Sequence, residues 1–278
     1  MTATATDHPY DAWADAYRDY WGPVLAPSAV ALLDRLPSAD LEGQQFDLLD
    51  VGTGTGALAL FVLERWPTAR VIGVDPASRM LDLVASEAAR RGLDGPGRLR
   101  LVVGTAEEVP LADRSVDVAV SSFAIQLVSN RSAALREIAR VVRPGGTFAC
   151  LTWQWDDLRF EPDEIFNDVL DDLDVDAPSG GGDHTLPFTS PEAAAAELRR
   201  AGFHRVRART VWLDHRYTVD SYIAMLEHWL ETDTFRRLGF ARRHQFRQEL
   251  RRRFRRLPAD AFVWRRPLVS VVGRRRAE

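Results

Sequence analysis

The run Leu48-Leu49-Asp50-Val51-Gly52-Thr53-Gly54-Thr55-Gly56-Ala57 sets an acid two positions before a series of alternating glycines. Glycine tolerates positive φ and has no Cβ, so a ligand can lie directly against the backbone. Where such a run opens a helix, the first turn offers N–H groups that no helical carbonyl satisfies. Asp75 follows about twenty residues after the turn, where a carboxylate can accept hydrogen bonds from both hydroxyls of an adenosine ribose. Gly52, Gly54, Ala57 and Asp75 fit the G-x-G-x-x-[GA] pattern with its acidic partner. Taken alone, these residues leave open a nicotinamide dinucleotide, another nucleoside ligand, or a tight strand-to-helix turn with no ligand.

The elements that must position them are legible from pattern. Phe46 to Val51, Arg70 to Val74, Leu99 to Val103, Val116 to Val120 and Thr147 to Trp153 are short apolar runs that predict strands. Between them, Thr55 to Trp66, Ala77 to Arg91 and Ser132 to Val142 predict helices, closed by Pro67, Gly92 and Pro144-Gly145-Gly146. Strands alternating with helices of this length define an α/β, doubly wound, mostly parallel sheet. Ahead of it, Tyr10, Trp13, Tyr17, Tyr20 and Trp21 recur at helical spacing, with Pro23 and Pro27 expected to break the pattern before a short helix from Ala29 to Leu36. After it, Ser190 predicts an N-cap with Pro191 in the first turn. Val206 to Leu213 and Phe262 to Val272 predict a sixth and a seventh strand, flanking a largely helical stretch from Thr218 to about Arg256.

Composition narrows the chemistry. The chain has 278 residues, 46% apolar and 27% charged, with a net charge of −4. It is too apolar and too nearly neutral to stay disordered. No apolar run reaches the roughly 18 residues of a membrane span. All 36 basic residues are arginine, which excludes a Schiff-base lysine and the P-loop lysine. Cys150 stands alone, so no disulfide framework and no cysteine-clustered metal site exists. The amino-terminal residues lack a basic and then apolar leader, and a cytoplasmic location is expected. No G-x-S-x-G elbow and no paired histidine motif is present.

Five segments, in order, extend the glycine motif. These are Asp50 to Gly56; Val74-Asp75-Pro76 with Ser78 and Met80; Gly104-Thr105-Ala106-Glu107-Glu108-Val109-Pro110-Leu111; Asp117 to Phe123; and Arg140-Val141-Val142-Arg143-Pro144-Gly145-Gly146. In these the chain resembles class I S-adenosylmethionine-dependent methyltransferases, especially the ubiquinone/menaquinone-type small-molecule branch. The resemblance covers about residues 40 to 153 and, more loosely, 188 to 213. It implies a Rossmann-like seven-stranded sheet with a helical cap, in one domain over residues 1–278. The core would be about 40–153 and 188–278, with residues 1–39 and the lid 154–188 forming the substrate cap.

The resemblance also implies roles. Asp50 and the carbonyls near Gly52 would meet the cofactor's ammonium, and backbone N–H groups from Thr53 through Gly54 to Gly56 would line its methionine portion. Asp75 would hold the ribose, Pro76 and Met80 would pack on adenine, and Thr105 with Ala106 would meet the adenine edge. Ser121 and Phe123 would border the sulfonium, and Tyr17 would close over the methionine end or serve as core packing. The chain departs from the family at Thr105, where an aspartate is common, and at Gln126, where a histidine is common. Glutamine supplies a hydrogen bond but no base. Of the histidines, His184 and His228 could face a substrate, and none is assigned as a catalytic base. Trp153, Trp155, Phe160, Phe166, Trp212 and Trp229 suggest an apolar pocket.

The implied activity is methyl transfer from S-adenosylmethionine to a small hydrophobic or aromatic acceptor, with oxygen slightly favoured. The alternatives are a non-methylating protein of the same fold and an NAD-dependent oxidoreductase. The acidic stretch 156–176 and the arginine-rich stretch 236–256 read as solvated faces, as a mutual lid pairing, or as a nucleic-acid surface. The net charge argues against the last. The expected partner is a small molecule, with homodimerisation left open and no metal.

Overall fold

The computed structural model describes residues 8–37, 41–175 and 185–277. Strand β1 (Asp47–Val51) is buried at every position, because it lies in the middle of a sheet covered on both faces. Its flanking strands are β2 (Arg70–Asp75), β3 (Leu99–Val103) and β4 (Val116–Ser122), followed by β5 (Val142–Trp153), β6 (Phe203–Arg216) and β7 (Val263–Arg275). The order is β3-β2-β1-β4-β5-β7-β6. The first five strands are parallel, and β7 inserts antiparallel between β5 and β6. Chain order reverses beside β1, and α/β sheets bind ligands outside the carboxyl ends of strands at such a switch point.

Three helices build the half of the sheet that carries the glycine motif. They are α3 (Ala57–Arg65), α4 (Ser78–Arg91, ended by Gly92 at φ 67°) and α5 (Arg131–Val141). Later come α6 (Glu161–Asp172), α7 (Pro191–Arg200, capped by the Ser190 side chain), α8 (Val219–Met225), α9 (Thr232–Arg237) and α10 (Phe240–Phe254). Among the described residues, no helix is long and apolar enough to cross a membrane.

Several expected boundaries give way. The prolines do not separate two helices. Helix α1 (Pro9–Ala16) runs through a π-helical turn, Tyr17–Trp21, into α2 (Gly22–Leu32). The π turn lets the Gly22 N–H reach back to the Tyr17 carbonyl. Pro23 then falls in the first turn of α2, where a missing donor costs little. Pro27 sits inside α2, held there because Val24, Leu25, Ala29 and Leu32 are buried against the sheet. Strand β5 begins at Val142 rather than Thr147, since Val142 already pairs with Val116 and the glycine turn is a register shift within the strand. Strand β6 is longer than predicted, 203–216, with a shift between His204 and Arg207. The stretch 218–256 is largely helical, as expected, and divides into three α-helices. A second π turn, Leu226–Leu230, follows α8, and Gly239 separates α9 from α10.

The acidic and basic stretches do meet. Phe166 of α6 packs edge-on against Phe246 of α10, Arg253 pairs with Asp172, and Arg242 donates to the Leu173 carbonyl at 2.9 Å. Other arginines of α10 face their own helix or the helical segments just before it, as Arg252 does Glu249, Arg251 does Asp220, Arg247 does Glu227 and Arg243 does the Phe235 carbonyl. Residues 178–182 and His184 lie outside the described residues.

Candidate functional site

The turn after β1 is braced by β2. The Gly52 and Thr53 N–H groups both donate to the Val74 carbonyl, at 2.8 and 3.0 Å. Asp75 at the end of β2 accepts from the Gly54 N–H at 2.8 Å and from the Ala77 N–H at 2.9 Å. Gly52 must be glycine twice over. Its φ is +70°, and a Cβ there would sit 2.3 Å from the Ala124 Cβ. Gly54, at φ +52°, has nothing within 4 Å of the position a Cβ would take. Its missing side chain leaves open space on the site. Gly56 serves packing, because a Cβ would press on Val84 at 2.9 Å. Of the N–H groups from Thr53 to Gly56, only that of Thr55 makes no hydrogen bond among the described residues.

A cavity of about 40 Å³ opens over this turn, lined by Tyr17, Gly22, Leu25, Ala26, Ala29, Asp50, Gly52, Thr53, Gly54, Thr55, Ala57, Leu58, Ser122 and Phe123. Strands β1 and β4 supply its floor, and the π turn with α2 supplies its roof. Asp50 is buried, 2% exposed, and accepts from Thr53 Oγ1 at 2.9 Å. Burial above all, with the nearby Asp75 charge adding, pushes its pKa up to about 7, against the pull of bonds from Thr53 and the Ala59 N–H. Burial also raises Asp75, while its two backbone N–H partners hold it back. The Tyr17 phenol is pushed well above its ordinary range by burial and by the charges of Tyr10, Asp75 and Asp50.

The expected residues thus divide. Tyr17, Asp50, Gly52, Thr53, Gly54 and Phe123 line the cavity. Asp75, Pro76, Thr105 and Ala106 stand beside it, at the ends of β2 and β3, where the Gly104 N–H donates to the Asp75 carbonyl at 3.2 Å. The Thr105 hydroxyl accepts from the Glu108 N–H at 3.2 Å and so shapes its own turn. Met80 is buried with Ala77 beneath Ala14, Tyr10 and Tyr17. Ser121 does not border the cavity. It is wholly buried and its hydroxyl donates to the Val51 carbonyl at 2.8 Å. The next residue, Ser122, lines the cavity instead, and its hydroxyl is buried with no hydrogen-bond partner among the described residues. Successive strand residues face opposite sides, so the choice between the two serines needed the phase of β4, which the run Asp117 to Phe123 does not reveal.

Gln126 is a clamp. Its Nε2 donates to the Phe123 carbonyl at 2.6 Å, and its Oε1 accepts from the Thr152 hydroxyl. That clamp helps hold Phe123 at φ 54°, with its ring 4.8 Å from Trp153. Trp21 touches Trp153, Trp229 and Trp264, and Tyr17 meets Trp229 edge-on at 5.5 Å. Of the six residues expected in an apolar pocket, Trp153 and Trp229 join this wall. Phe160 and Phe166 are buried in the core, and Trp155 and Trp212 are 61% and 46% exposed. None of the histidines lines the cavity among the described residues. His228 stacks on Tyr20 at 4.7 Å, outside it.

A buried carboxylate and an open glycine edge thus meet in one cavity at the switch point of a doubly wound α/β sheet. The comparisons specify the family. A family model described as a methyltransferase domain matches residues 49–150. The ubiquinone/menaquinone biosynthesis C-methyltransferase UbiE of Paracoccus denitrificans is 34% identical over 191 residues, 65% of this chain and 74% of that protein. A malonyl-[acyl-carrier protein] O-methyltransferase of Methylococcus capsulatus is 35% identical over 167 residues, 59% of this chain and 54% of that protein. The chain spans about half the length of several such relatives. The crystal structure of the YcgJ protein from Bacillus subtilis shares the fold, with a TM-score of 0.56 at 18% identity, covering 91% of this chain and 100% of that one. The chain belongs to the class I S-adenosylmethionine-dependent methyltransferases, in their ubiquinone/menaquinone-type branch.

Proposed function

We propose that this protein transfers a methyl group from S-adenosylmethionine to a small hydrophobic or aromatic acceptor, at an acceptor oxygen. The observation that carries the reading is the cavity over the glycine turn, with buried Asp50 on its floor and the unsatisfied Ser122 hydroxyl beside it. These residues fit the cofactor. The Asp50 carboxylate would hold its ammonium, and the edge of Gly54 would let its backbone lie close. Asp75 retains unshared lone pairs for the ribose hydroxyls. Met80 and Pro76 would back the adenine, with Thr105 and Ala106 at its rim.

The cofactor supplies an activated methyl on a sulfonium, so the protein's tasks are orientation and exclusion of water. Phe123, braced by Gln126 and Trp153, sets one wall of the reacting space. Tyr17 and Trp229 close it from the cap. In-line transfer needs the nucleophile about 3–3.5 Å from the methyl carbon, and such positioning can replace a large part of the chemical barrier. Since no histidine lines the cavity among the described residues, an acceptor that is already an anion at neutral pH suits the site best. An acidic oxygen meets that need. Relatives named as O- and C-methyltransferases both match the chain. Neither the nicotinamide nor the non-methylating reading gains support from them.

The test is calorimetric titration with S-adenosylmethionine and with its demethylated product, followed by incubation of the protein with methyl-labelled cofactor and a cell extract. Saturable binding and a labelled O-methyl product are expected. No heat with either compound would end the reading, and a labelled C-methyl product would correct the acceptor atom.

A further inference from the structure

Three arginines come together at one patch of the sheet, and none of them makes an ion pair among the described residues. In the β6–β7 ladder, Arg209 stands opposite Ser270 and Arg207 opposite Val272. Residues two apart on a strand share a face about 7 Å apart, so both arginines stand on the side of Val211 and Leu213, which belong to the core cluster that α2 helps cover. Arg35, at the end of the 3₁₀ turn Leu33–Arg35 that follows α2, reaches the same place. Its Nη1 donates to Ser270 Oγ at 3.1 Å. Ser270 is 2% exposed, and its hydroxyl proton stays free to donate because its oxygen is the acceptor toward Arg35.

Many arginines elsewhere pair with acids, while half-buried Arg98, Arg243 and Arg275 donate to backbone carbonyls. Arg70 pairs with Asp47, Arg131 with Glu197, Arg140 with Glu137 and Arg247 with Glu227. Arg35, half-buried, and Arg207 and Arg209, both exposed, pair with no acid among the described residues. Burial, and then the charges of Arg209 and Arg207, bear on Arg35 and lower its pKa. Like charges held together without a counter-ion oppose folding. Helix α2 lines the cofactor cavity as far as Ala29, and Arg35 lies about 9 Å further along the helical run; Arg35, Arg207, Arg209 and Ser270 are not among the residues that line that cavity.

We propose that Arg35, Arg207, Arg209 and the Ser270 hydroxyl bind a phosphate group. Guanidinium forks match phosphate oxygens in pairs. A tetrahedral dianion offers enough oxygens to engage all three forks and the hydroxyl together, whereas a carboxylate offers two. The phosphate is either free or carried as a phosphomonoester on an organic molecule.

The experiment uses the full chain at fixed ionic strength, with sodium phosphate, glycerol phosphate or sodium chloride as titrant. Heat of binding and melting temperature are read in the wild type and in Arg207→Gln and Arg209→Gln. Saturable phosphate binding is expected, weakened about tenfold or more in each variant by the loss of a charged fork. S-adenosylmethionine affinity should stay unchanged in both, which shows that the variants are folded. Binding of inorganic phosphate and phosphomonoester alike identifies free phosphate as the ligand chemistry, and binding of the ester alone identifies an organic one. Heats that match sodium chloride, or phosphate binding undiminished in both variants, overturn the site. So does a preference for polyglutamate with no response to either phosphate.

Discussion

At the scale of single residues, Asp50 and Ser122 control the cavity by being incompletely satisfied. Asp50 has a folded-state pKa near 7 against an ordinary 3.8. Between those values the ligand-free fold holds a proton that the unfolded chain has released, so stability falls as pH rises through that window. A cation over Asp50 favours the ionised form, so binding of S-adenosylmethionine should release a proton below pH 7. Its affinity should rise with pH up to about 7, by at most about tenfold per unit, and then level off. Titrations from pH 5.5 to 8.5 in buffers of different ionisation enthalpy check this. Asp50→Asn should flatten the profile, and a slope that survives the substitution would move the effect to another group. Ser122→Ala tests the neighbour. A buried hydroxyl without a partner costs the fold about 1–3 kcal/mol. The variant should therefore melt no lower than wild type yet bind the cofactor more weakly, and a lower melting temperature with unchanged affinity would show that the hydroxyl serves the fold alone.

At the scale of elements, the turn after β1 and the turn after β4 cross so closely that each dictates the other. Gly52→Ala adds a Cβ 2.3 Å from that of Ala124 and forces alanine to a φ of +70°. Overpacking and left-handed strain each cost about 1–3 kcal/mol. The expected loss is several degrees in melting temperature. The double variant Gly52→Ala with Ala124→Gly should recover the steric part and leave the backbone part; no recovery would mean that Ala124 is not the obstacle. The sequence exposes this element well, because a buried parallel strand must be almost wholly apolar and Leu48 to Val51 interrupts that only with Asp50. Gly92 and Ser190 were equally readable, since cap chemistry is local. What escaped depends on distant partners. Tyr17–Trp21 forms a π turn, which keeps Pro23 and Pro27 within one helical run, and only burial of Leu25 and Leu32 holds Pro27 there. The phase of β4, which sends Ser121 into the sheet and Ser122 to the cavity, follows from its pairing with β1 and β5. The roles of Trp155 and Trp212 could not be told from those of Trp153 and Trp229 without knowing which end of the sheet the cap covers.

At the scale of the whole molecule, α6 and α10 must be held to each other beside the sheet. Among the attachments between α6 and α10, one ion pair and one ring contact can be compared directly. The Arg253–Asp172 pair joins a side chain 22% exposed to one 62% exposed, and water screens such a pair to about 0–1 kcal/mol. Phe246 is wholly buried between Phe166 and Phe235, and removing a ring from such a place costs about 3–5 kcal/mol. The opposite charges of the two stretches therefore align surfaces that aromatic packing holds. In a chain of this length, 1 kcal/mol moves the melting temperature by about 2–4 °C. Phe246→Ala should lower it by roughly 6–20 °C on that scale, and Arg253→Ala by no more than about 4 °C. Thermal melts of the two variants at low and at high salt decide the matter. If the arginine variant loses as much as the phenylalanine variant, and salt reproduces that loss in the wild type, charge and not packing holds α6 to α10.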